Sequence, residues 1–184
     1  MIGEIRDEES AHIAVRAANS GILVFATLHA ESAVGAVQSM RSLGTNPLFL
    51  STALRGVIAQ RLIRTLCPAC RIKFDLTDAP ETFGYLKPYL KPDEGKTLYA
   101  AKGCDACGQT GYSARAGIFE VLSVDHHIRH RIGENAPARE IREKALSQPM
   151  LELRRTAMLM VARGETSTEE VFRVIPSEDI LAVD

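Results

Sequence analysis

Tryptophan is absent from this chain of 184 residues, and aromatic side chains make up only 5% of it. Neither sign of charge is in excess, because 22 basic residues stand against 23 acidic ones and the formal net charge is -1. A protein that binds nucleic acid or an anionic membrane usually carries a basic excess, so we expect neither partner by direct attraction. The 46% of hydrophobic and 24% of charged residues are typical of a globular protein of one or two domains.

Long apolar runs are missing as well. The longest strongly apolar run is residues 21–28, whereas a helix that crosses a bilayer needs roughly 20 apolar residues. The charged residues 4–9 (EIRDEE) follow the first methionine too closely for an export signal. We therefore expect a cytoplasmic chain without a membrane span, in a compartment that keeps thiols reduced.

Cysteine is rare, but its four copies form two Cys-x-x-Cys pairs, Cys67 with Cys70 and Cys104 with Cys107. In a reducing compartment such pairs are more typical of metal ligands than of disulfides. Four thiolates fill the tetrahedral shell of zinc and leave no open position for water, so the spacing predicts a structural zinc site. A thiol redox pair, a degenerate site without metal and an iron–sulfur centre are the alternatives.

The first of three zones, residues 1–66, is rich in apolar residues and has the pattern of an α/β fold. Asp7 predicts the N-cap of a helix over residues 8–19. Residues 22–28 are continuously apolar, which predicts a central parallel strand covered by helices on both faces.

Two more helices are expected in this zone. One covers residues 32–43 and ends at Gly44, which can supply the left-handed stop. The other begins with Asn46 as its cap and Pro47 at its first position, and it runs to the first cysteine pair. Its predicted buried stripe consists of Leu50, Leu54, Val57, Ile58 and Leu62.

The second zone, residues 67–124, predicts a small metal-bound module. We expect an irregular segment at residues 75–96 and a return strand at residues 116–122. The third zone, residues 125–184, has the pattern of a helical subdomain. Its predicted helices lie near residues 125–133, 137–147 and 150–163, with a fourth that begins at Ser167 in a capping box with Glu170.

Glu4 and His29 are candidate catalytic residues. Glu4 is expected at the carboxyl end of a strand, and His29 just past the carboxyl end of the strand at residues 22–28, at the edge of an open α/β sheet where ligands bind. A carboxylate and an imidazole at adjacent strand ends can orient a water molecule and sense a γ-phosphate. A solvated helix cap at residues 3–7 and a structural histidine are the plainer interpretations of the same residues.

Five segments together resemble the type II secretion and type IV pilus-assembly ATPases, the GspE/PulE/PilB-like family, from the Walker B motif onward. They are residues 2–10 (IGEIRDEES), 27–29 (TLH), 59–70 (AQRLIRTLCPAC), 103–107 (GCDAC) and 111–120 (GYSARAGIFE). They occur in the order and spacing of that family, and the resemblance covers nearly the whole chain.

The resemblance implies the C-terminal part of a RecA-like P-loop ATPase core, with an inserted tetracysteine zinc subdomain and a C-terminal helical subdomain. It gives Glu4 the role of the Walker B glutamate and His29 that of the His-box histidine. ATP and magnesium would act in a complete homo-hexameric motor. Such a motor works with platform proteins of the inner membrane, to which it is cytoplasmic and peripheral.

This chain departs from the family pattern at Ser10, Ile22, Ala30 and Ser39. It also contains no Gly-x-x-x-x-Gly-Lys-[Ser/Thr] phosphate loop, so no nucleotide-binding residue can be assigned. We therefore expect the chain alone not to hydrolyse ATP, and to be either a fragment of a longer reading frame or half of a split motor. A non-catalytic zinc-ribbon interaction module and a thiol-redox protein are the rival functions.

Overall fold

The computed structural model describes residues 1–79 and 81–175, which form an α/β fold. Pro80, in the predicted irregular segment, and residues 176–184, in the predicted helical subdomain, lie outside the described residues. In chain order the elements are α1 (Glu8–Asn19), α2 (Ala33–Ser42), α3 (Pro47–Ala53), β1 (Gly56–Leu66), β2 (Ile72–Asp75), β3 (Thr97–Ala100), β4 (Tyr112–Ser123), α4 (His126–Gly133), α5 (Ala138–Leu146), α6 (Leu153–Ala162) and α7 (Thr168–Val174), with short 3-10 helices at Gly84–Tyr89 and Asp105–Cys107.

The chain divides into two compact units. Among the described residues, the first consists of Met1–Ala59 and Glu120–Leu151, and the second of residues 60–79, 81–119 and 152–175. Each unit therefore combines separate stretches of chain, whereas the three zones of the sequence are continuous stretches. The long strands β1 and β4, which pair with each other, each begin in one unit and end in the other.

The first unit is built around its helices. Asp7 caps α1 as predicted, since its Oδ1 accepts a hydrogen bond of 2.8 Å from the amide of Ser10. Ser32 caps α2 in the same way through the amide of Gly35 at 3.0 Å, and Gly44 follows with a φ of 78°. Helix α3 packs against α1 and α4, and α5 packs against α2 and α4. The core side chains lie on the inward faces of these helices: Ala11, Val15, Val37, Leu50, Ile128, Ile132 and Ile141.

The predicted central strand at residues 22–28 is wrong in its extent and burial. This segment has one isolated parallel bridge, between Ala26 and Ile2. Ile22, Leu23 and Phe25 are 61%, 74% and 64% exposed. The parallel direction is as expected, but in the described residues the only strand bridge of this segment is that one, and these three apolar side chains are open to solvent.

The predicted long helix after Asn46 is also wrong beyond its first turns. Asn46 Oδ1 does accept from the amide of Leu48 at 2.9 Å, but α3 ends at Ala53. The residues that follow form β1, which pairs with β4. The apolar residues here are spaced as in a helix, but β-branched side chains favour a strand, and β4 supplies a pairing partner far along the chain. A strand therefore forms in place of the helix.

The second unit carries a small antiparallel ladder in which Ile72 pairs with Ala100 and Asp75 with Thr97. The segment between the two strands, predicted to be irregular, contains the 3-10 helix at Gly84–Tyr89. Phe83 and Leu86 are buried there, and α6 packs against this 3-10 helix, against β3 and against α7.

The helices predicted after residue 125 are confirmed as α4, α5, α6 and α7. The capping box at α7 is half correct: Ser167 Oγ accepts from the amide of Glu170 at 3.2 Å, but the Glu170 carboxylate accepts from Arg64 and Arg173. Among the described residues, no helix combines the length and the apolar character that crossing a membrane requires.

Candidate functional site

Glu4 and His29 lie on two backbone segments that run side by side in the first unit. The amide of Ile2 donates to Phe25 O and that of Ile5 to Thr27 O, both at 2.8 Å. The Thr27 hydroxyl also donates to Gly3 O. Because the segments are parallel, residues that follow them meet at one edge, and Glu4 and His29 are brought together as predicted.

The Glu4 carboxylate has two differently placed oxygens. Oε1 lies 2.8 Å from His29 Nε2, but the ring is not aligned for a hydrogen bond, and this buried oxygen accepts none in the described structure. The other oxygen, Oε2, accepts from Arg6. That hydrogen bond, followed by the charges of Arg6 and His29, lowers the pKa of Glu4 against the opposing effect of burial. The carboxylate is therefore ionised at neutral pH.

The His29 imidazole is 91% exposed, whereas the Glu4 side chain is 23% exposed. His29 is held through its backbone, because Ser39 Oγ on α2 donates to His29 O at 3.4 Å. A carboxylate and an imidazole this close can together hold a water molecule and a phosphate oxygen, because both atoms are within hydrogen-bond reach of one point.

Both cysteine pairs lie in tight turns of the second unit. Cys67 follows the end of β1, and the amide of Cys70 donates back to Cys67 O at 3.3 Å. In the second pair, the amide of Cys107 donates to Cys104 O at 3.1 Å. Gly103 opens this turn with a φ of 106°, and a Cβ atom there would lie 2.7 Å from Gln109 O, so only glycine fits.

The four sulfurs converge on one point. Cys67 and Cys104 Sγ are 4.0 Å apart, while Cys70–Cys107 and Cys104–Cys107 are each 3.8 Å apart. All four sulfur atoms lie within 4.8 Å of one another, and all four residues are free thiols. These separations far exceed the roughly 2.05 Å of a disulfide, and the cluster can hold one metal ion.

The thiols differ in acidity. Burial raises the pKa of Cys107, but hydrogen bonds from the amides of Cys104 and Gly111 more than offset it and lower the pKa to about 6. Burial and the neighbouring thiols raise the pKa of Cys70 to about 11. Because a metal binds thiolates, loading such a cluster releases protons and is favoured by neutral or higher pH.

Comparison with known proteins places this chain in a family. Residues 1–173 match the family model described as "Type II/IV secretion system protein". The chain belongs to this family. Type II secretion system protein E of Aeromonas hydrophila is 42% identical over 178 residues, which are 95% of this chain and 34% of that protein. The type IV pilus assembly ATPase PilB of Thermus thermophilus is 42% identical over 171 residues, or 93% of this chain and 19% of that protein.

The chain thus spans about a third of the first relative and less of the second. Two solved structures share its fold. The pilus retraction motor PilT with bound ADP superposes with a TM-score of 0.64 at 21% identity, covering 97% of this chain and 40% of PilT. The Legionella pneumophila ATPase DotB gives 0.60 at 18% identity, covering 93% and 36%. The expected RecA-like α/β fold with a tetracysteine cluster is confirmed.

This family member has a buried ionic cluster that the sequence did not predict. Glu170 on α7 has a fully buried side chain, and its Oε2 accepts from Arg64 Nη2 at 2.6 Å. Arg173 donates to both carboxylate oxygens, and the Arg64 guanidinium lies 4.1 Å from the centre of the Tyr112 ring. Arg64 and Glu170 are 106 positions apart, so the fold brings these partners together.

Two other charged groups lie outside the sites described above. Arg71 donates to Gly164 O at 2.6 Å and lies over the Tyr99 ring. His130 lies 3.2 Å from Glu134 on exposed surface. Within residues 1–79 and 81–175, the cysteine cluster alone gathers three or more metal-ligating side chains.

Proposed function

We propose that this chain supplies the water-orienting and phosphate-sensing part of an ATPase that drives protein secretion or pilus assembly. The observation that carries the proposal is the meeting of Glu4 and His29 at one edge of two parallel segments. The names of the family relatives, which include pilus assembly ATPases and type II secretion proteins, support this general role.

Glu4 has the chemistry of the residue that positions the attacking water. Its carboxylate is ionised, and the buried Oε1 has no hydrogen-bond partner in the described structure. An ionised carboxylate accepts the water proton and so points the oxygen lone pair at the γ-phosphate. Magnesium commonly binds one or two carboxylates plus substrate phosphates, and a carboxylate with a free oxygen fits that role.

His29 has the chemistry of the residue that contacts the γ-phosphate. Its imidazole is open to solvent on one side and lies 2.8 Å from Glu4 Oε1 on the other. A ring N–H near the phosphate stabilises charge that develops on the phosphoryl oxygens as the terminal bond breaks. Loss of the γ-phosphate would change this contact, which is how the site would sense the state of the nucleotide.

In our proposal, the residues that hold the phosphates are not part of this chain. A phosphate loop supplies backbone N–H groups, a lysine and a magnesium-binding hydroxyl, and this chain contains no such motif. Without that electrostatic support, positioning of water alone gives little rate enhancement. We therefore expect the chain by itself not to turn over ATP.

A chimera tests this function. The matching C-terminal portion of the Aeromonas hydrophila relative is replaced by this chain, so that the relative provides the phosphate loop. We expect the chimera to hydrolyse ATP, and the isolated chain and the relative truncated before the exchange point to be inactive. An inactive chimera that still folds and binds ATP would contradict the proposal, as would turnover by the isolated chain.

We further propose that the cysteine cluster holds one structural zinc ion. Four sulfurs at about 2.3 Å from a tetrahedral zinc lie about 3.8 Å apart, close to the 3.8 to 4.0 Å of three of the sulfur pairs. Cys67, Cys70, Cys104 and Cys107 would complete the coordination, and the bound metal would stabilise the turns without taking part in chemistry.

Elemental analysis of the purified chain tests the metal. One zinc per chain, with no thiol reactive towards an alkylating reagent until a chelator is added, is the expected result. Stoichiometric iron and sulfide would mean an iron–sulfur centre, and reactive thiols without metal would favour a redox function. Either outcome would contradict the zinc assignment.

Assembly and location follow the family likeness and are likewise proposals. We expect a homo-hexamer in the complete motor, attached to platform proteins at the cytoplasmic side of the inner membrane. The exposed Ile22, Leu23 and Phe25 form an apolar surface that further parts of the ATPase core would cover. The mass of the active chimera in solution, measured with nucleotide, checks for six copies.

A further inference from the structure

A carboxylate occupies an inward position of β4. Glu120 is 5% exposed, and its neighbours in the same inward row, Ile118 and Leu122, are buried apolar residues. Removing an ionisable group from water is costly unless it gains hydrogen bonds, so an inward glutamate in an apolar row requires a specific polar partner.

That partner includes the start of helix α2. The amide of Ala33, the first helical residue, donates to Glu120 Oε1 at 2.7 Å in a buried environment. The first amides of a helix have no partner within the helix and carry partial positive charge, so a carboxylate there satisfies a donor and interacts favourably with the helix dipole. Ser32 Oγ accepts from the amide of Gly35, so two side-chain hydrogen bonds together hold this end of the helix.

Helix α2 in turn supports His29. Ala33 follows His29 by four positions, and the His29 carbonyl accepts from Ser39 on the same helix. The imidazole is 91% exposed and has little packing of its own. Its position therefore depends on the backbone between it and α2, and that backbone is attached to the strand layer through Glu120.

We propose that Glu120 is a positioning residue for His29, acting through the N-terminus of α2. His29 Nε2 and Glu4 Oε1 are 2.8 Å apart, so a displacement of the helix start would change their separation. This inference rests on the proposed function for the role of His29 in ATP turnover, but the placement of the ring can be measured without nucleotide.

The first experiment uses this chain with ¹³C-labelled histidine and follows the ring signals by NMR. The chain has five histidines, and His29→Gln identifies the signal of interest. Glu120→Leu, which removes the acceptor, should move the His29 signal towards that of free histidine more than any other histidine signal. Glu120→Gln keeps an acceptor oxygen and should leave His29 near its original position.

Leu122→Ala is the matched control, because it weakens the same inward row of β4 without touching the Ala33 amide. An unmoved His29 signal in folded Glu120→Leu overturns the proposal. So does an equal movement in Leu122→Ala or in Glu120→Gln. If Glu120→Leu does not fold, Glu120→Asp, which retracts the oxygens by one carbon–carbon bond of about 1.5 Å, should move the signal in the same direction.

The second experiment measures ATP turnover in the chimera. A misplacement of about 1 Å can cost about 100-fold in rate, so Glu120→Leu should lower kcat by about 10- to 100-fold while KM for ATP changes less. Glu120→Gln should restore most of the activity. A fully active Glu120→Leu chimera contradicts the positioning role. An inactive unsubstituted chimera counts against the proposed function instead, and the NMR result still decides the placement of His29.

Discussion

Replacing Glu170 by glutamine should destabilise the second unit strongly at neutral pH. Its side chain is fully buried between Arg64 and Arg173. Burial alone would raise the pKa of this carboxyl, but hydrogen bonds from Arg173 and Arg64 lower it from 4.5 to about 2. A pKa difference of one between the folded and the unfolded protein is worth about 1.4 kcal/mol, so the ionised carboxylate contributes on the order of 3 kcal/mol to the free energy of unfolding.

The pH dependence has a definite sign. The folded pKa lies below the unfolded one, so the stabilisation is complete above about pH 4.5 and is lost as the pH falls towards 2. The variant Glu170→Gln cannot ionise, so the difference in stability between the two proteins should be largest at neutral pH. It should shrink steadily below about pH 4.5.

Hydrogen exchange provides the assay, because the two units need not unfold together. The amides of Val171 and Ile175, which donate to Ser167 O and Val171 O, report on α7. A loss of about 3 kcal/mol corresponds to roughly 100-fold faster exchange at these amides at pH 7. Glu169→Gln is the control, since it makes the same change one residue away on the exposed side of α7. Equal exchange rates in the two variants would refute the reasoning.

Three other changes have defined expectations. Arg41→Met removes hydrogen bonds of 2.7 and 2.9 Å to Ala136 O and Ile132 O, so it should lower the free energy of unfolding of the first unit by about 2 to 3 kcal/mol. The exposed control Arg16→Met should change it little. Chemical denaturation followed by circular dichroism measures the difference between the two variants. Asn46→Ala removes the cap of α3 and should cost about 1 kcal/mol in the same measurement. The amide of Cys67 donates to Gly111 O at 2.9 Å, and treatment with a zinc chelator should make this amide exchange rapidly with solvent. Restoring zinc should restore its protection. Unchanged protection after chelation would mean that the turns fold without metal.

Local patterns predicted the helices well. The caps at Asp7, Ser167 and Asn46 mark helix starts that the structure confirms, because a capping side chain and the amides it satisfies are only two or three residues apart. The cysteine spacing was equally informative, since each Cys-x-x-Cys turn is local and only the meeting of the two turns depends on the fold.

Features that depend on distant partners were missed. Residues 54–66 combine a helical stripe with strand-forming side chains, and the pairing with β4 decides the outcome. Residues 22–28 are as apolar as a strand buried on both faces, yet in the described residues they have only the single bridge to Ile2. Ala33 lies 87 positions from Glu120 and Arg64 lies 106 positions from Glu170, so no local spacing pointed to these contacts.

The role of Glu4 is tested most directly by ATP turnover in the chimera. Glu4→Gln keeps the shape of the side chain but removes the base, so kcat should fall by about 100- to 10,000-fold while ATP binding is retained. Glu9→Gln, the same change on the exposed first turn of α1, is the matched control and should leave kcat unchanged. If Glu4→Gln hydrolyses ATP as fast as the unsubstituted chimera, this chain does not supply the water-orienting carboxylate of the motor.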